Sequence, residues 1–102
     1  MKESNQERFQ KLLSARVYNS CASGDLEQLI SLVKMGADVN RKDDNIGVTP
    51  LYIACQRGSL EMAQFLLSKN AQVNLATDEG DLPLSIACQA GYLHIVKLLK
   101  AS

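Results

Sequence analysis

The chain of 102 residues has a single histidine, His94, and no excess of charge, since eleven Lys and Arg balance eleven Asp and Glu. One imidazole leaves little material for general acid–base chemistry or a histidine-based metal site. Balanced charge removes the global attraction that draws a basic protein to nucleic acid. No apolar run nears the roughly 20 residues needed to cross a bilayer. The opening stretch, MKESNQERFQ, lacks the apolar centre of a secretory signal. The six glycines all fall at expected hairpins and helix ends, so none is left for a phosphate-cradling loop. With 46% hydrophobic and 22% charged residues, the composition is that of one folded domain. These features point away from an enzyme, a cofactor, a metal, a membrane or a nucleic acid, and toward a protein of the cytoplasm or nucleus.

What is present is a repeat. Gly47–Leu67 returns as Gly80–Lys100, with ten of twenty-one positions identical, among them Pro50/Pro83, Leu51/Leu84, Ala54/Ala87, Cys55/Cys88 and Gly58/Gly91. A fixed period of 33 residues marks a solenoid, whose units bury their apolar faces only against their neighbours. The three cysteines follow the same period: Cys21, Cys55 and Cys88 lie 34 and 33 residues apart. Helices stacked roughly 8–10 Å apart hold such a column too far apart for disulfides, which need Cα atoms within about 7 Å. Each cysteine is therefore expected to be a small buried residue.

Local signals fill in the unit. Thr49 is a good N-cap and Pro50 suits the first helical position. Leu51, Ala54 and Cys55 share one helical face, and Gly58 ends the helix. Ser59 starts a second helix with Leu60, Ala63, Leu66 and Leu67 as its stripe, and Asn70 closes it at positive φ. The next unit has Leu82 in place of the capping threonine, which softens its helix start by about 1 kcal/mol. Upstream, Ser4-Asn5-Gln6-Glu7 reads as a capping box. It opens a long helix with Phe9, Leu12, Leu13, Arg16, Val17, Ser20 and Cys21 along one edge.

Asp44-Asn45-Ile46-Gly47-Val48-Thr49-Pro50-Leu51, the paired Leu66-Leu67 and the closing Ala71-Gln72-Val73-Asn74 together resemble the ankyrin repeat. The resemblance covers roughly residues 17–100. It implies an all-α solenoid of stacked helix-turn-helix units joined by β-hairpin-like loops. The expected layout is one domain over 1–102: a capping unit with an extended first helix (4–40), a second unit (41–74), and a third (75–102) that stops after its second helix. Leu84, Ile86 and Leu98 would then belong to an open stacking face.

The resemblance also implies a function without catalysis. Ankyrin units bind partners through hairpin tips and the open side of each first helix. By position these are Asp43, Asn45, Ile46, Val48, Gln56 and Arg57, then Asp78, Glu79, Asp81 and Gln89. Tyr52, which stands where the family has histidine, is counted with these partner-binding positions, although packing between units is its first expected role. Asp43, Asp44, Asp78, Glu79 and Asp81 place acid along two hairpins, and Ile46 and Val48 are expected to be exposed beside it. Asp44 is expected to help form its hairpin, which a one-residue insertion in Arg41–Ile46 reshapes. A protein or peptide partner with a basic segment and an apolar anchor would suit that surface. The chain is expected to be a monomer, with the C-terminal stacking face available for self-association. The alternative is an ankyrin fragment of a larger regulatory or effector protein whose activity lies elsewhere.

Overall fold

The computed structural model describes residues 4–102; the first three residues of the polar opening stretch lie outside the described residues. Among the described residues six helices run in order: α1 (Asn5–Ser23), α2 (Leu26–Lys34), α3 (Pro50–Arg57), α4 (Leu60–Ser68), α5 (Pro83–Ala90) and α6 (Leu93–Lys100). No strand occurs among the described residues. Among the described residues no helix is long and apolar enough to cross a membrane.

The local signals explain these boundaries. Thr49 Oγ1 accepts from the Tyr52 amide at 3.2 Å and Pro50 follows it, so α3 starts with a satisfied cap. Ser59 and Asp25 cap α4 and α2 in the same way. Leu82 offers α5 no side-chain bond, as its sequence predicts. Asn70 takes φ 68° at the end of α4, the left-handed geometry expected of it. At α1 the capping box closes only on its serine side. Ser4 Oγ accepts from the Glu7 amide at 3.1 Å, but the Glu7 carboxylate meets Arg41 at 3.0 Å instead of turning back.

The inner helices α1, α3 and α5 pack side by side, and each is backed by its following helix. Leu51, Ala54 and Cys55 are wholly buried in the middle, with Leu29, Met62, Ala63 and Leu66 behind them. Two expectations about α1 and the cysteines need correction. Phe9 and Leu12 are 46% and 57% exposed although Leu13 and Ser14 beside them are buried, so they lie on the side of α1 that no other helix covers. Cys21 and Cys55 are buried but Cys88 is exposed, since no further inner helix lies over α5. Leu84, Ile86 and Leu98 are half-buried against the core, so that face is only partly open.

Polar stitches fix the stacking register. Asn40 donates to the Asn70 carbonyl (3.2 Å) and accepts from the Gln72 amide (2.8 Å), holding the loop after α4. Gln10 does the same for the loop after α2: it donates to the Gly36 carbonyl (2.9 Å) and accepts from the Asp38 amide (3.3 Å). Gly36 and Asp38 correspond to Asn70 and Gln72, 34 residues earlier. A glutamine on α1 therefore reproduces the clamp that an asparagine loop supplies further on, and this lets a helix close the first edge of the stack.

Candidate functional site: the hairpin and inner-helix groove

The two hairpins differ by the inserted residue. In the first, the Asp43 amide donates to the Val48 carbonyl (2.9 Å); in the second, the Thr77 amide donates to the Asp81 carbonyl (2.8 Å). Four residues are enclosed in one and three in the other, so the insertion does reshape the first hairpin. Each loop is braced by the side chain at its start. Asp43 Oδ1 accepts from the amides of Ile46 (3.2 Å) and Val48 (2.9 Å), and Thr77 Oγ1 accepts from the Asp81 amide (3.1 Å). The hairpin-forming carboxylate is thus Asp43, not Asp44. The hairpins are joined where the Asp78 amide donates to the Ile46 carbonyl at 3.0 Å.

This pairing builds a groove of about 210 Å³ against α3, lined by Ile46, Val48, Tyr52, Gln56, Thr77, Glu79 and Asp81. Six of these seven were candidates from sequence; Thr77 was missed because its signal is the bond it makes within the loop. Ile46 stands out into solvent at 60% exposure. Val48 does not: it is 6% exposed, a correction with a clear cause. Its amide and carbonyl are both tied to Asp43, which turns the side chain inward as a wall of the groove.

The remaining candidates lie outside this lining. Asn45 is exposed at the first tip, and Gln89 is exposed near the end of α5. Asp78 is exposed, with its carboxylate over Gly47. Arg57 donates to the Ala22 carbonyl at 2.8 Å, capping the last turn of α1 with a cation where the helix dipole favours one. Asp43 and Asp44 line a separate depression of about 150 Å³ with Lys11, Ser14, Ala15, Tyr18, Arg41 and Lys42. The five acids expected along one surface therefore divide. Asp43 and Asp44 sit among three cations, whereas no lysine or arginine is among the residues lining the Glu79–Asp81 groove.

Two tyrosines at equivalent positions mark the difference. Tyr18 Oη donates to the Arg41 carbonyl at 2.6 Å. Burial, followed by the nearby Asp43 charge, pushes its pKa up to about 12. Tyr52 is 8% exposed, and its hydroxyl has no hydrogen-bond partner among the described residues. Its pKa is also raised, first by burial and then by the charges of Asp81 and Glu79. Cys21 and Cys55, with pKa values pushed to about 12 by burial, are poor nucleophiles. No group of three potential metal-ligating side chains occurs among the described residues.

A family model for ankyrin repeats in three copies matches residues 17–102. The chain belongs to the ankyrin-repeat family. Ankyrin repeats generally mediate protein–protein interaction. Among curated proteins, the chain is similar to protein phosphatase 1 regulatory subunit 27. The mouse protein is 44% identical over 69 residues, which is 68% of this chain and 44% of the relative. The human protein is 38% identical over 88 residues, 86% of this chain and 56% of the relative. The chain thus spans about half the length of these two relatives. It is also similar to human SMC5-SMC6 complex localization factor protein 1, at 38% identity over 85 residues, 81% of this chain and 8% of that much longer protein.

Proposed function

We propose that this chain is a non-catalytic ankyrin module, with units at 4–40, 41–74 and 75–102, that binds a basic segment of a protein or peptide partner. The observation behind this reading is the groove itself. It joins an exposed aliphatic residue, Ile46, to two carboxylates, Glu79 and Asp81, with no cation in its lining. Charge complementarity would steer the encounter, and burial of an aliphatic anchor on Ile46 would supply affinity. A displayed library of random peptides, panned on the chain, tests this directly. Recovered sequences should be enriched in Lys or Arg beside an aliphatic residue, and the triple variant Asp78→Lys, Glu79→Lys, Asp81→Lys should lose them while keeping its melting temperature. Enrichment of acidic or uncharged sequences would overturn the reading.

A second reading is supported by the greater length of the relatives, two of which are named regulatory subunits. In it, the module serves a larger regulatory protein whose activity lies outside these residues. A stop codon directly after Ser102 in the parent gene would count against it.

A further inference from the structure

We infer that the groove recognises one arginine side chain of the partner, and that the Tyr52 hydroxyl is an acceptor for it. This rests on the basic-partner reading and makes it specific. An acidic pair alone says little, but Tyr52 adds an independent fact. Its ring is nearly buried, while its hydroxyl is open to the groove that Tyr52 lines and makes no hydrogen bond among the described residues. Its counterpart Tyr18 shows that the position can be fully satisfied, because there the hydroxyl is held by the Arg41 carbonyl of the next hairpin. The oxygen is open to the groove, so what it meets there is water or a ligand, and a ligand that donates to it and to the neighbouring carboxylates together would replace that water.

The size and chemistry of the groove select the occupant. At about 210 Å³ it falls below the roughly 300–1,000 Å³ typical of small-molecule sites, and it fits one long side chain. Its acceptors are spread: a phenol oxygen and the carboxylates of Glu79 and Asp81, with the side-chain amide of Gln56 beside them. A guanidinium presents five donors in a rigid plane and sheds its water more readily than an ammonium does. Val48 and Ile46 give its aliphatic stem an apolar wall. A lysine would deliver its charge to one point and leave some of these acceptors unmet.

The test is a titration of the ¹⁵N-labelled chain with acetyl-Leu-Ala-Arg-amide and with the lysine and citrulline forms of the same peptide. In an extended peptide, residues two apart share a face, so Leu can meet Ile46 while Arg enters the groove. The arginine peptide should shift the amides of Tyr52, Gln56, Glu79 and Asp81. It should bind about tenfold more tightly than the lysine form and far more tightly than the citrulline form. Tyr52→Phe should reduce that preference without changing the melting temperature, and Glu79→Gln with Asp81→Asn should abolish binding of both cations. Equal response to Arg and Lys, unaltered in Tyr52→Phe, overturns the arginine assignment and leaves the basic-partner reading standing. No response to either cation, or shifts confined to another surface, overturns both.

Discussion

The junction between the first and second units and that between the second and third share one scaffold but use it differently. In both, a buried cysteine fills the contact between inner helices, Cys21 in one and Cys55 in the other. In both, a left-handed glycine at the end of the inner helix lies under a side chain from the next unit, Arg57 over Gly24 and Tyr92 over Gly58. The polar groups diverge. At the first junction the Tyr18 hydroxyl, Arg41 and Arg57 are all bound within the protein. At the second, the Tyr52 hydroxyl has no hydrogen-bond partner among the described residues, and no lysine or arginine lines the groove beside its acids. Equivalent positions can thus be consumed by the scaffold in one layer and left open in the next, and on the reading proposed above that difference is what would give a repetitive fold a single site.

The largest measurable contrast is among the cysteines. At pH 8 a thiol-alkylating reagent should modify Cys88 at once. Cys21 and Cys55 should be slower by on the order of a thousandfold or more, because they react only after the junctions open. Raising the pH should not free them in the native state. Burial pushes their pKa up to about 12, above the ordinary thiol value of 9.0, so the folded form holds its proton more tightly. The stability this linkage contributes is fully present below pH 9 and is lost as the pH rises toward 12. Stability should therefore decline across that interval in a denaturant series. Equal labelling rates for the three thiols would show that the junctions are not closed as described.

A smaller effect separates the two glycines. Gly24 and Gly58 have φ of 79° and 81°, so an alanine at either position costs about 1–2 kcal/mol in backbone strain alone. A Cβ at Gly24 would meet the flexible end of Arg57, which can swing aside at the cost of its bond to Ala22. A Cβ at Gly58 would come within 2.6 Å of the Tyr92 ring, which is far less free to move. Urea unfolding should rank the losses as Gly58→Ala, then Gly24→Ala, then Gly91→Ala, since nothing lies within 4 Å of Gly91. A reversed order would mean that the arginine contact, not the tyrosine one, is the rigid junction.

Much of this organisation was legible in the chain itself, and the exceptions share a cause. The face formed by Leu51, Ala54 and Cys55 follows from helical spacing, and the caps at Thr49 and Ser59 follow from residue type. Val48, Asp43 and Arg57 were misplaced or only half understood because their surroundings come from other units or from the inserted residue. Spacing cannot tell that Asp43 is closed over two amides, or that Arg57 reaches the end of α1. Gln10 is the clearest case, since its partners lie 26 and 28 residues away and no local motif announces the clamp. One signal was available and unused. Tyr18 and Tyr52 have the same 34-residue separation as Cys21 and Cys55, which marks them as a pair to be compared.

That pair gives the finest test of the difference between the junctions. Tyr18→Phe removes the donor from the Arg41 carbonyl in a half-buried setting, and should cost about 1 kcal/mol in urea unfolding. Tyr52→Phe keeps the ring that packs between units and removes a hydroxyl that bonds to nothing in the protein. Its stability should stay within about 0.5 kcal/mol of the parent. A loss at Tyr52 as large as that at Tyr18 would mean that its hydroxyl is bound into the scaffold after all. The phenol oxygen would then no longer be open to a ligand, and the second junction would differ from the first in charge alone.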